Sequence, residues 1–142
     1  MKALFDTNVI LDVLLDRDPF SEEASILLSK VEQSEIIGFA CATTITTIHY
    51  LTAKALGPQA ATRHIKSLLS LFVIAPVNRV VLENAAASKF KDFEDAVLHE
   101  AAMHAGAKYI VTRNISDFEK SKLPVYDPKE FLNTLELLKN NG

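Results

Sequence analysis

The sequence predicts a three-layer α/β/α sandwich, in which helices cover both faces of a central, mostly parallel sheet of four to five strands. Short apolar runs alternate along the chain with longer segments whose apolar residues recur at helical spacing. Such alternation favours parallel strands joined by right-handed helical crossovers. The length of 142 residues suits one domain with a substantial core. We therefore expect a single α/β domain over residues 1–142.

The elements follow in order from apolar spacing and from the residues that begin or end them. An Asp-Pro pair at 18–19 precedes the second helix, Thr43 or Thr44 is expected to cap the third, and Gly57 with Pro58 marks its end. The predicted strands are residues 1–5, 36–42, 72–75, 108–111 and 123–126. The predicted helices are one directly after Asp6 and those over residues 21–34, 43–55, 59–71, 78–88, 92–105 and 128–138.

Composition narrows the classes of function. The chain is 49% hydrophobic and 23% charged, which is ordinary for a globular protein and too apolar for disorder. No apolar run approaches the roughly 18 residues that span a bilayer, and the first residues carry no secretory-signal pattern. We therefore expect a cytoplasmic protein without a membrane partner. The lone Cys41 lies in an apolar run and is expected to be a small core residue.

The net charge of −3 argues against a broadly basic nucleic-acid-binding face. A local patch remains open, because five cations flank acidic positions in the second half of the chain. These are Lys89, Lys91, Arg113, Lys120 and Lys122. A solvated surface is the alternative interpretation of scattered lysines.

Acidic and amide side chains occur where several predicted elements meet one edge of the sheet. Asp6 follows the first strand, Asn114 and Asp117 follow the fourth, and Asp92 and Asp95 begin a helix that starts at the same edge. In open α/β sheets this is the edge that binds ligands. Carboxylates held close together repel one another, and a cation relieves the repulsion. Oxygen ligands without His or Cys at metal spacing favour Mg²⁺ or Mn²⁺.

Each acidic residue also has a purely structural explanation. Asp92 can cap its helix with Asp95 at the third helical position, and Asn114 or Asp117 can cap a turn. For one residue alone we favour that explanation. For Asp6, Asp95 and Asp117 taken together, at matching topological positions, we favour a metal site. A hard cation held by carboxylates suits phosphodiester hydrolysis, which then needs no Ser, Cys or His nucleophile.

Three motifs resemble the PIN-domain family of metal-dependent nucleases, which includes VapC-like toxins of bacterial and archaeal toxin–antitoxin modules. The motifs span residues 4–12, 92–96 and 110–118, and the resemblance covers almost the whole chain. It implies a PIN-like α/β/α domain that cleaves RNA with carboxylate-bound Mg²⁺ or Mn²⁺. It implies catalytic and metal-binding roles for Asp6, Asp95 and Asp117, supporting roles for Thr7 and Asn8, an antitoxin partner when the protein is a type II toxin, and homodimers.

One position departs from the family pattern. Many members place a Glu in the helix after the second strand, where this chain offers Thr47. A threonine hydroxyl can support a metal-bound water but supplies no charge. Either Asp92 replaces the missing carboxylate or metal binding is weaker. The alternative to a ribonuclease is therefore a PIN-like domain of weak or no activity that binds RNA or a protein.

Three other residues each have two interpretations. Arg113 can contact a phosphate or pair with a carboxylate, and the sequence slightly favours the ion pair. Asp12 is interpreted as a surface residue or one that lies behind the ligands, and His99, one turn after Asp95, is interpreted in the same two ways.

Other classes with an acidic residue after a strand fit poorly. A haloacid dehalogenase phosphatase needs an Asp where Asn8 stands, and a receiver domain needs an Asp where Asn78 follows the third strand. A nucleotide-binding fold needs Gly-rich turns, and the chain has four Gly in all.

Overall fold

The computed structural model describes residues 1–141 and confirms the α/β/α architecture. Five strands form one all-parallel sheet in the order β3-β2-β1-β4-β5. The strands are β1 (Lys2–Phe5), β2 (Ile37–Cys41), β3 (Val73–Ala75), β4 (Tyr109–Val111) and β5 (Val125–Tyr126). The helices are α1 (Thr7–Leu14), α2 (Ser21–Glu32), α3 (Ala42–Leu56), α4 (Pro58–Leu71), α5 (Arg79–Ala87), α6 (Phe93–Ala105) and α7 (Pro128–Asn141), with a 3₁₀ helix at Ile115–Phe118. Gly142, the end of the predicted domain, lies outside the described residues.

Two apolar cores lie on the two faces of the sheet, because alternate strand residues point to opposite sides. Phe5 joins one core with apolar side chains of α1–α4 and α7, including Phe131. Leu4, its neighbour on β1, joins the other core with α5 and α6. The strands are thus covered on both sides, as expected for a parallel sheet. Within residues 1–141 no helix combines the length and apolarity needed to cross a membrane.

Two predicted helix starts are wrong in detail. Neither Thr43 nor Thr44 caps α3, which begins at Ala42 directly after β2 and has Cys41 as its N-cap without a side-chain hydrogen bond. Thr44 is buried, and its hydroxyl instead forms a hydrogen bond with Thr7. α4 begins at Pro58, whose fixed φ and missing N–H suit the first helical position.

The strand order places β1 at the centre, with β2 on one side and β4 on the other. The chain leaves β1 toward one half of the sheet and later returns to fill the other half. The crevice at such a switch point, beyond the carboxyl ends of the strands, is where open α/β sheets bind ligands. Helices that precede parallel strands begin at this same edge, which brings the start of α6 there.

Candidate active site

A cleft of about 290 Å³ opens at this switch point, and we call it the carboxylate cleft. It is bordered by the end of β1, the start of α6, the segment after β4 and one side of α3. Its polar lining is Asp6, Thr7, Asn8, Thr47, Asp92, Glu94, Asp95, Asn114 and Asp117. The structure therefore brings every predicted site residue except Arg113 to one cleft. Glu94, at the second position of α6, is a further carboxylate that the sequence analysis did not name.

Asp6 is the most firmly positioned carboxylate of the cleft. The register pairs Phe5 with Val111, so the next residue on each strand, Asp6 and Thr112, also lie side by side. The Thr112 hydroxyl donates to Asp6 Oδ2 at 2.8 Å, and the Thr7 amide donates to Oδ1 at 2.8 Å. Only 7% of Asp6 is exposed. These two hydrogen bonds fix the direction in which the remaining lone pairs point.

Thr112 is a functional position that the sequence analysis missed. It is fully buried, and its hydroxyl oxygen accepts the Asn114 amide at 3.0 Å while donating to Asp6. One hydroxyl thus connects the segment after β1 with the segment after β4. The predicted sheet could have indicated this contact, because Thr112 directly follows the fourth strand and Asp6 directly follows the first.

Thr7 and Asn8 support the cleft in different ways. The Thr7 hydroxyl forms a 2.8 Å hydrogen bond with the Thr44 hydroxyl, which ties the start of α1 to α3. Asn8 is half-buried in the lining, and its carbonyl accepts from the Arg17 guanidinium at 3.3 Å. The Thr47 hydroxyl donates to the Thr43 carbonyl of its own helix at 3.2 Å. Thr47, which stands where many family members have Glu, is therefore hydrogen-bonded to the backbone of its own helix.

The start of α6 has the capping arrangement that its sequence suggested. Asp92 is the N-cap, and its Oδ1 accepts the Asp95 amide at 3.0 Å. This leaves the Asp95 carboxylate in the first helical turn, lining the carboxylate cleft. The structural and functional explanations are therefore compatible, because capping uses the Asp95 amide and leaves its carboxylate available.

The charges of these carboxylates act on one another. The pKa of Asp95 rises from its usual 3.8 to about 7, first because the side chain is partly buried and then because it lies among like charges. Those charges belong, in order of decreasing effect, to Asp92, Asp6, Asp117 and Glu94. Burial also raises the pKa of Asp6, an increase that the hydrogen bonds from Thr112 and Thr7 partly offset and the charge of Asp117 reinforces.

The donor set fits a hard divalent cation. Carboxylate, amide and hydroxyl oxygens line the cleft, and a cation would relieve the repulsion between like charges that contributes to the raised pKa of Asp95. Within residues 1–141 no three Asp, Glu, His or Cys side chains stand close enough together to enclose a metal ion. Mg²⁺ does not require such a cage, since it usually keeps several waters and is bound through one or two carboxylates.

Arg113 lies outside the lining and forms the ion pair that the sequence slightly favoured. Its guanidinium donates to both carboxylate oxygens of Asp12, at 2.7 and 3.2 Å, and lies 3.9 Å from the centre of the Phe20 ring. Arg17 donates to the same carboxylate at 2.9 Å. Asp12 is only 1% exposed, so the interpretation of it as a surface residue is wrong. A phosphate contact by Arg113 stays a prediction.

His99 is likewise buried, with 2% of its surface exposed, so a surface role for it is wrong. Its Nε2 accepts the Lys122 amide at 3.0 Å. The residue therefore anchors the segment after the 3₁₀ helix rather than reaching the carboxylate cleft.

The family model for the PIN domain matches residues 2–116, and the chain belongs to the PIN-domain family. A toxin–antitoxin complex from Klebsiella pneumoniae contains a chain that is 25% identical, with a TM-score of 0.68 over 89% of this chain and 97% of that chain. VapBC-1 from nontypeable Haemophilus influenzae has a TM-score of 0.69 at 17% identity, over 91% of this chain and 99% of that one.

A third similar structure is VapC20 of Mycobacterium tuberculosis, described as a sarcin-ricin loop cleaving toxin. It has a TM-score of 0.62 at 14% identity, over 76% of this chain and 86% of that one. At this level of identity the likeness shows a shared fold. Comparison with the sequences of curated proteins finds no match.

Proposed function

We propose that the chain is a metal-dependent endoribonuclease of the PIN type. The observation that carries the proposal is the meeting of Asp6, Asp95 and Asp117 from three separate elements in one cleft, where burial first, and neighbouring carboxylates second, raise the pKa values of Asp6 and Asp95. Membership of the PIN-domain family, which rests on residues 2–116, supports the same reaction. Perturbed carboxylate pKa values in a cleft are a characteristic of functional sites.

In this proposal Asp6, Asp95 and Asp117 hold Mg²⁺ or Mn²⁺, one or two of them directly and the rest through its bound waters, and Asp92 joins them if it replaces the missing Glu. The bound cation supplies Lewis-acid stabilisation of charge on the attacked phosphate and assists ionisation of the attacking water. Thr112 and the Thr7 amide keep the Asp6 oxygens in place. The side chains of Asn8 and Asn114 line the cleft, where they can donate hydrogen bonds to a phosphate.

The test is cleavage of single-stranded RNA by purified protein with Mn²⁺ or Mg²⁺. We expect Asp6→Asn, Asp95→Asn and Asp117→Asn each to lower the rate more than about 100-fold, since even residues behind metal ligands contribute about 10–100-fold. Asp16→Asn is the matched control, because Asp16 is exposed, lies outside the cleft and has a φ of 48° that Asn tolerates. Retained cleavage in the three cleft variants would contradict the assignment.

The alternative is a PIN-like domain that binds RNA or a protein without efficient cleavage. The observation that favours it is Thr47, where the cleft lacks a carboxylate and the hydroxyl bonds its own helix. Thr47→Glu should then tighten Mn²⁺ binding and raise cleavage. Thr46→Glu is the control, since Thr46 is exposed one residue earlier and its hydroxyl also donates to the Thr43 carbonyl. Tighter Mn²⁺ binding by Thr47→Glu without cleavage, with Thr46→Glu behaving like the wild type, would favour the alternative.

We further propose that the protein acts in the cytoplasm as the toxin of a type II toxin–antitoxin module and forms homodimers. The support is the similar fold of chains in toxin–antitoxin complexes. Exposed apolar side chains on α3 and α4, among them Tyr50, Leu56 and Leu69, could be covered by an antitoxin or a second copy. Induced expression should arrest growth, and a small protein encoded beside the gene should bind and relieve the arrest. Growth unaffected by active protein would contradict the toxin role.

A further inference from the structure

A second and larger hollow, of about 500 Å³, lies beside the carboxylate cleft, between α5, α6 and the segment after the 3₁₀ helix. We call it the lysine hollow. Its charged and aromatic lining is Lys89, Phe90, His99, Glu100, Lys120 and Lys122. Three of the five cations that flank acidic positions in the sequence therefore surround one concave surface.

The lysine hollow has unbalanced positive charge. Lys89, Lys120 and Lys122 are exposed, and none of them forms an ion pair within residues 1–141. The one carboxylate in the lining, Glu100, is largely buried and lies 3.8 Å from His104. In a protein of net charge −3, such a patch attracts anions to this face.

An aromatic ring and a buried donor form the floor. Phe90 is half-buried, stacks on His99 with ring centres 4.9 Å apart, and meets Phe118 edge-on at 5.9 Å. Because His99 Nε2 accepts the Lys122 amide, the neutral ring carries its hydrogen on Nδ1. That buried Nδ1 has no hydrogen-bond partner among the described residues and lies 3.7 Å from Glu100 Oε1.

The lysine hollow continues into the carboxylate cleft. A smaller depression of about 270 Å³ lies between them. It shares Lys89, Phe90 and Lys120 with the lysine hollow. It shares Asp92, Asp95 and Asp117 with the carboxylate cleft. An extended polyanion can therefore run from the lysines to the carboxylates without leaving the surface groove.

We propose that the lysine hollow binds the nucleotide of single-stranded RNA that adjoins the cleaved bond. The lysines hold its phosphate and the phosphates next to it, the base stacks on Phe90, and the polar groups of His99 and Glu100 lie beneath. This assignment rests on the proposed ribonuclease function. It explains how an acidic cleft retains a negatively charged substrate, because the counter-charge lies beside the cleft. Base stacking on an aromatic ring next to a basic groove is typical of single-strand binding.

The first experiment measures binding of a fluorescein-labelled single-stranded RNA in EDTA, so that the outcome does not depend on cleavage. The test variant is Lys89→Gln/Lys120→Gln/Lys122→Gln. The matched control is Lys66→Gln/Lys108→Gln/Lys129→Gln, which removes the same charge from exposed lysines elsewhere. We expect the test variant to bind at least about tenfold more weakly and its salt dependence to fall by about 2 in log–log slope, as for three lost phosphate contacts on a single strand. The control should bind like the wild type.

A second pair of variants tests the stacking. Phe90→Leu keeps an apolar side chain over His99 but removes the aromatic face, and should weaken binding about tenfold. Phe90→Tyr keeps that face and should bind like the wild type. Equal affinities of the two lysine variants, equal affinities of the two Phe90 variants, or no RNA binding by the wild type would each overturn the proposal.

Cleavage assays on the same proteins separate this inference from the proposed function. A wild type that binds RNA through the lysine hollow but never cleaves it with Mn²⁺ or Mg²⁺ overturns the nuclease and leaves the binding site. A wild type that cleaves RNA, with a test variant that binds as tightly as its control, overturns the lysine hollow and leaves the nuclease.

Discussion

Replacement of Asp95 by Asn should stabilise the metal-free protein at neutral pH. In the unfolded chain Asp95 ionises near 3.8, whereas in the fold its pKa is about 7. Between these two values the folded state holds a proton that the unfolded state has lost, so this group lowers stability as pH rises from about 4 to about 7. Above pH 7 the loss is complete and stays constant. Asn cannot ionise, so the variant lacks this loss.

The magnitude follows from the size of the shift and the exposure of the side chain. A shift of about three pKa units corresponds to roughly 4 kcal/mol for a fully buried group. Asp95 is only partly buried, and solvent screening reduces this to about 1–2 kcal/mol. A domain of this size changes its Tm by about 2–4 °C per kcal/mol. The variant should therefore melt a few degrees higher than the wild type at pH 8 and at the same temperature at pH 4.

The assay is thermal unfolding by circular dichroism from pH 4 to pH 8, first in EDTA and then with Mn²⁺. Asp16→Asn is the control, because it makes the same substitution at an exposed position outside the cleft. Mn²⁺ should raise the Tm of the wild type more than that of Asp95→Asn, because cation and proton compete for one carboxylate. The reasoning would be refuted if the Tm of Asp95→Asn exceeded that of the wild type equally at pH 4 and pH 8. It would also be refuted if the variant melted below the wild type at pH 8 in EDTA.

Three further substitutions test contacts that support the fold around the site, and urea unfolding measures each. Thr112→Val should lower the free energy of unfolding by about 1–3 kcal/mol, because it leaves Asp6 Oδ2 without its buried donor; an unchanged midpoint would contradict that role. Gly38→Ala should lower the free energy of unfolding by about 1–3 kcal/mol, because the added Cβ would lie 2.8 Å from the Phe72 ring and overpack the core. The second substitution Phe72→Leu in that variant should recover part of the loss. Asp12→Ala should lower the free energy of unfolding by about 2–3 kcal/mol, less than for a fully buried pair because its two arginine partners are partly exposed. A loss below about 0.5 kcal/mol, the scale of ordinary surface substitutions, would count against it.

Most of the correct predictions from the sequence follow from the topology of the sheet. All five strands were expected within a few residues of their observed bounds, because a buried parallel strand is a short apolar run between turn residues. Once the sheet was parallel, the ends of strands one and four and the start of α6 had to meet at one edge. That is why Asp6, Asp95 and Asp117 could be grouped without an alignment.

Pairings across long sequence separations could not be predicted in the same way. Thr112 donates to a carboxylate 106 residues away, and Arg113 donates to Asp12 across 101 residues. Either contact requires both strand register and side-chain direction, which apolar periodicity does not contain. The expected cap at Thr44 was wrong for the same reason. A local hydrogen bond gave way to a tertiary one, because the side chain is buried against Thr7.

The two halves of the groove have opposite electrostatic requirements, and the fold meets each with a different kind of support. In the carboxylate cleft, Asp6 is held by donated hydrogen bonds that favour its charged form, while burial and Asp117 favour its protonated form. In the lysine hollow, the cations are exposed and need no such support. Close carboxylates lower stability until a cation binds, whereas exposed lysines cost little. Substitutions of the cleft carboxylates should therefore change stability and catalysis in opposite directions, and substitutions of the exposed lysines in the hollow should change RNA affinity with little change in stability.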